Sequence, residues 1–157
     1  MFKNDLIFDL YSYLNIPVIQ SPQAQNKPSY PFIGYTMITS NIALSQGNLS
    51  DKLVDGTTFE FDIESKLETP VNHTFSFTAY SDTEQEAYLK AKMAVDYFRH
   101  IVFDKEYVIV DVTSLSERSM LEVDEYEYRW GFDITVKTKD TVIRKDATIE
   151  DYSIKEE

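Results

Sequence analysis

"NHTFSFTAYSDTEQEAYLKAKMAVDYFRHI", residues 72–101, changes its period halfway along. Up to Ala79 the apolar residues alternate, with Phe75, Phe77 and Ala79 on one side and Thr74, Ser76 and Thr78 on the other. A spacing of two is that of a half-buried strand. From Ser81 the spacing lengthens: Ala87, Tyr88, Ala91, Ala94, Val95, Phe98 and Ile101 form one helical stripe. Ser81 and Glu84 are spaced as a capping box, and Asp82, Glu84 and Glu86 suit the positive end of a helix dipole. Small alanines on the buried stripe let a helix approach a sheet closely. The stretch therefore predicts a strand running into a helix that packs back on its own sheet.

Upstream, "TTFEFDIESKL" (57–67) alternates too, with Phe59, Phe61, Ile63 and Leu67 on one side. Only "ETPV" separates it from the 72–80 strand, which predicts an antiparallel hairpin turning at 68–71. "SQGN" and "DG" predict a loop around 45–56. "FIGYTMITSNIAL" (32–44) is rich in β-branched and aromatic residues and reads as a strand. Ile33, Tyr35 and Met37 lie on one parity and Ile38, Ile42 and Leu44 on the other. Either both faces are covered or a bulge near Met37 shifts the register.

Residues 15–31, "NIPVIQSPQAQNKPSYP", hold four of the five prolines and read as an extended, Pro-rich arm that lies on a neighbour. Before it, Phe2, Leu6, Ile7, Leu10, Tyr13 and Leu14 form a helical stripe, which should end at Asn15–Ile16 because the residue before a proline is pushed out of the α region.

Downstream, "EYVIVDVTSL" (106–115) predicts a strand, and Ser116, Glu117 and Arg118 a polar loop, either an ordinary turn or a contact loop. "VDEYEYRWGFDITVKT" (123–138) alternates strictly from Tyr126, with Tyr126, Tyr128, Trp130, Phe132, Ile134 and Val136 on one face. Leu121 and Val123 have the opposite parity, so either a bend near Glu125 or a turn that starts a new strand is required. Residues 145–157 read as a charged C-terminal tail that frays. The order predicts an α+β fold: one domain over 1–157, a mostly antiparallel sheet, and two helices packed on one face.

Chemistry is sparse. The 157 residues, 43% hydrophobic, suffice for one sizeable core. No apolar run approaches bilayer length and no signal peptide is legible, so a soluble chain is expected. The absence of cysteine excludes disulfides, thiolate metal sites and cysteine nucleophiles. The net charge of −12 opposes binding to nucleic acid and to anionic membranes. His73 and His100 lack any neighbouring nucleophile or metal motif. The carboxylates of "EVDEYE" (122–127) lack EF-hand spacing and a turn glycine, so they read as a solvated segment. "NHT" (72–74) matches a glycosylation sequon in a chain that shows no sign of secretion. No catalytic residue, cofactor or metal is expected. The aromatic face of Tyr126, Tyr128 and Trp130 lacks the cationic groove that base stacking needs, so it reads as core or subunit-interface packing.

Three segments taken in order, "SYPFIGYTMITS", "FSFTAYSDTEQEAYLKAKMAVDYF" and "VDEYEYRWGFDITV", resemble the neck terminator or tail-completion proteins of tailed bacteriophages. The likeness spans roughly residues 30–138. It implies a non-catalytic virion protein at the neck, made in the host cytoplasm. Such a protein forms a homomeric ring, hexameric in the family, and meets the connector or head-completion protein and the tail tube while DNA passes without being held tightly. On that expectation the interface residues are Tyr126, Tyr128 and Trp130, together with Pro22, Pro28 and Pro31 of the arm. Two other readings stay open: a monomeric acidic adaptor or inhibitor bound to a basic partner, and a metal-dependent hydrolase using the carboxylates of 122–127.

Overall fold

The computed structural model describes residues 2–21, 27–56, 61–122 and 125–147. The change of period in 72–101 is real. Its first half is the end of strand β4 (Phe61–Ser81), and its second half is α2 (Glu84–Asp96), prolonged by a π-helical turn at Tyr97–Ile101. The other elements are α1 (Phe2–Leu14), β1 (Val18–Gln20), β2 (Phe32–Ala43), β3 (Asn48–Asp55), β5 (Val108–Val112), β6 (Ser116–Glu117), β7 (Met120–Glu122) and β8 (Glu125–Ala147). The sheet runs β1-β2-β4-β8-β5, with β3 on β4 and with β6 and β7 on β8. It is mixed: β1 is parallel to β2, whereas the β3–β4, β5–β8, β6–β8 and β7–β8 pairs are antiparallel.

Two compact units share these strands. The first comprises residues 1–42 and 72–138. Its core is the odd face of β4 and the even face of β8, covered by both helices. Phe75, Phe77 and Ala79 meet Phe132, Ile134 and Val136 under Leu6, Leu10 and Leu14 of α1 and Ala91, Ala94, Val95 and Phe98 at the α2 side. Phe77 stacks on Phe132 with ring centroids 5.6 Å apart, and Phe98 closes the cluster from above. The second unit comprises 43–71 and 139–157. Among its described residues, β3, the first half of β4 and the end of β8 form a sheet.

Several expectations are corrected. There is no hairpin at "ETPV": β4 runs straight through it. Pro70 lacks an N–H, but its carbonyl accepts from the Leu44 amide at 3.0 Å, so the strand keeps a partner there. The antiparallel partner of 61–68 is β3, which lies inside the expected 45–56 loop, with Leu49 opposite Leu67 and Leu53 opposite Ile63. Ser116–Arg118 is not a loop either. Ser116 and Glu117 pair with Gly131 and Trp130, and the Arg118 amide donates to the Arg129 carbonyl at 2.7 Å. The parity conflict near Glu125 is resolved by the start of a new strand there: β7 and β8 are separate and antiparallel, with Glu122 paired with Glu125. In β2, Phe32, Ile33 and Gly34 are all buried, so both faces are covered at the start of the strand, whereas Ile38 and Ile42 further along are exposed. β8 continues to Ala147, into the expected tail; residues 148–157 lie outside the described residues.

The expected capping box is replaced. β4 persists to Ser81, so the helix cannot begin until Glu84, with Thr83 at its N-cap. Ser81 is fully buried; its hydroxyl donates to Glu86 at 2.6 Å and accepts from the Thr83 amide at 3.3 Å. The α1 stop falls where expected. Asn15 adopts φ 52°, and its amide closes the last turn on the Tyr11 carbonyl at 2.8 Å.

The Pro-rich segment is not a free arm. Its first part, β1, pairs in parallel with residues 33–35 of the same chain, and Ile33 donates to the Pro17 carbonyl at 2.8 Å. Pro22 lies outside the described residues; Pro28 and Pro31 are half-buried.

Candidate interaction surfaces

On the face of the first unit's sheet opposite the helices, alternation should leave only solvated polar side chains. Instead β8 turns Glu127 and Arg129 onto that face, two residues apart. Glu127 is buried, at 4% exposed. One carboxylate oxygen accepts from Lys27 and from the Tyr30 hydroxyl; the other accepts from Arg129 Nε at 2.7 Å. Burial works against the Glu127 carboxylate, but these hydrogen bonds outweigh it and hold its pKa below the usual range. Lys27 loses some hydration, yet its bond to Glu127 raises its pKa to about 12. The Arg129 guanidinium lies over the Tyr80 ring, 5.2 Å from its centroid. Tyr30, Phe32 and Tyr80 stack in series at 5.7 and 4.7 Å. The segment from Lys27 to Phe32 is thus fastened to the sheet by charge at one end and ring stacking at the other.

Beside it, Arg118 lies flat across the sheet. It donates to Ser76 Oγ at 2.9 Å and Thr78 Oγ1 at 3.1 Å, and meets Asp133 at 3.4 Å. Gly131 makes room for it: a Cβ there would stand 2.6 Å from the guanidinium carbon. Sequence reading passed over Lys27, Tyr30 and Arg129, placed Arg118 in a polar loop, and read Glu127 within a solvated acidic segment, whereas its side chain is buried. The same-face spacing of Glu127 and Arg129 was the available signal; their partners come from far along the chain.

The three aromatics singled out in the sequence separate. Tyr126 is 46% exposed and packs edge-on to Tyr128 at 4.7 Å. Trp130 is half-buried against the core and edge-on to Tyr88 of α2 at 5.1 Å, its indole N–H without a hydrogen-bond partner among the described residues. Pro28 and Pro31 flank Tyr30, whose hydroxyl reaches Glu127, so the structure brings them near the hairpin that carries Tyr126 and Tyr128.

His73 is buried and structural: its Nδ1 accepts from the Asn41 amide at 3.2 Å and its Nε2 meets Thr138 Oγ1 at 2.9 Å. His100 is exposed in the last helical turn. An open cavity of about 320 Å³ is lined by Phe2, Asp5, Phe8, Asp9, Asp104 and Tyr107 among others. Its Asp9 is already engaged by Tyr107 at 3.1 Å and Lys105 at 3.0 Å. Among the described residues no three carboxylate or imidazole groups are placed to hold a metal ion, and no helix is long and apolar enough to cross a membrane.

The built features of this α+β protein are strand edges, exposed apolar side chains and ion networks that lash one segment to another, which are the means of a structural assembly protein. The chain belongs to the phage neck terminator protein family, which matches residues 4–156, nearly its whole length. It is accordingly a structural component of the phage neck and of the virion, and it meets other phage tail and head proteins. No curated protein matches it.

Proposed function

We propose that copies of this chain form a closed ring, hexameric as the family resemblance implies, at the junction of tail and head. The ring ends tail-tube growth or couples the tube to the head connector, and DNA passes through it. The family match over residues 4–156 carries this reading. The charge supports it: at −12 per chain, a ring of such subunits offers walls that repel the phosphate backbone and so let DNA slide. A ring needs each subunit to present two different surfaces to its neighbours. The exposed Tyr126 and the half-buried Tyr128 and Trp130, and the Pro22, Pro28 and Pro31 segment, are proposed contributors to one of these. Tyrosine suits such a place because its ring buries while its hydroxyl stays wet.

Imaging of virions carrying a label on this chain tests the assignment. A closed ring of density at the head–tail junction is expected; label along the tube or within the capsid overturns it. Trp130→Ala is expected to impair folding or assembly, and wild-type ring formation together with wild-type melting would remove Trp130 from the interface.

A further inference from the structure

In the first unit, α1 and residues 104–107 together line the open cavity of about 320 Å³. Its wall mixes rings and carboxylates. α1 contributes Phe8 with Asp5 and Asp9, and the facing loop contributes Asp104 and Glu106. Phe8 is 65% exposed, and the exposed Tyr11 ring lies beside it at 6.5 Å. Lys105 is the sole cation of the lining, and it is bound to Asp9 at 3.0 Å. Asp5, Asp104 and Glu106 make no ion pair among the described residues. An aromatic wall thus stands beside three carboxylates that lack a counter-charge there. A metal ion does not suit them, since among the described residues no three such groups converge.

We propose that this cavity is a docking site for an arginine side chain of a different protein of the phage neck. The inference goes beyond the ring reading, which concerns contacts between copies, and does not depend on it. Arginine matches both parts of the wall. Its fork of N–H donors meets carboxylates, and its flat cation stacks on aromatic rings. Its aliphatic stem covers apolar surface. The volume is at the small end of ligand pockets, roughly 300–1,000 Å³, which suits one long side chain. A second copy of this chain is the poorer occupant. The chain has four arginines, and each already bonds within its own copy: Arg99 to the Val112 and Thr113 carbonyls, Arg118 to Ser76 and Thr78, Arg129 to Glu127, and Arg144 to Asp146 at 2.7 Å. Two chains at −12 also repel one another, whereas a basic partner is steered in by the same charge.

The test titrates the full-length chain with two capped tetrapeptides, one carrying two central arginines and the other two citrullines, and reads the amide NMR spectrum. The arginine peptide should shift the Phe8, Asp104 and Glu106 amides saturably, and the uncharged citrulline peptide should not. Asp104→Asn combined with Glu106→Gln should weaken the arginine peptide about fivefold, and so should Phe8→Ser. Asp104 has φ 56°, a conformation that asparagine shares, and all three side chains are exposed, so these variants should melt as the wild type does. Asp51→Asn combined with Glu117→Gln removes the same total charge from exposed positions outside the cavity lining and should leave binding unchanged. Equal weakening by the two pairs of substitutions would mean attraction to charge in general, and overturns the site. Citrulline binding at arginine strength overturns it as well, as does the lack of any saturable shift with the arginine peptide. The ring reading is decided separately by where the label falls on virions, so either can fail without the other.

Discussion

Glu127 shows how much one side chain holds here. Three donors from two segments converge on its buried carboxylate. Glu127→Gln keeps the shape and removes the charge, leaving Lys27 and Arg129 without their anion. Lys27 can rehydrate and Arg129 keeps the Tyr80 ring, so the expected loss is about 2 kcal/mol, below that for a fully buried pair. Because folding lowers the carboxyl pKa from its ordinary 4.5, its contribution is fully present above that pH and is lost as the pH falls through the folded-state value. Melting temperature against pH should therefore drop more steeply below pH 4.5 in the wild type than in Glu127→Gln. Gly131 offers a second test. Gly131→Ala pushes on the Arg118 guanidinium, a movable group, so the cost should be modest, about 1–2 kcal/mol through loss of the Ser76 and Thr78 bonds. In an Arg118→Ala background the same change should cost much less, and urea denaturation of the four-protein cycle would reveal the coupling.

At the scale of elements, the helices and the strand that feeds α2 were legible because their periods are long and clean. The long strand was legible too, but was read as two. Ile63 and Leu67 share odd parity with Val71, Phe75, Phe77 and Ala79, as one unbroken strand requires, yet the lone Pro70 suggested a turn. β3 was missed because "NLSDKLVD" carries few β-branched residues; its strand character comes from pairing with β4, not from propensity. The Glu127 cluster was illegible for another reason: Lys27 and Glu127 are a hundred positions apart. On α2, Ala91 is fully buried at the helix–sheet contact. Ala91→Leu should overfill it and cost about 1–3 kcal/mol, measurable as a lower midpoint in thermal melts, whereas the same change at the exposed Lys92 should be nearly silent.

At the scale of the whole molecule, stability should be uneven. The first unit has an aromatic core beneath two helices, whereas the described part of the second rests on cross-strand pairs and surface ion pairs, which contribute little each. Hydrogen exchange is expected to be fastest at the amides of β3 and slowest at Phe75 and Phe77; equal protection in both places would contradict this division. One further consequence follows from the direction of β1. Since it runs the same way as β2, with Val18 abreast of Ile33 and Gln20 abreast of Tyr35, no tight turn holds this border strand in place. Its berth is kept by the Pro17 carbonyl and the Ser21 amide, which bond to Ile33 and Tyr35. Loosening those two moorings would strip the sheet of an entire border.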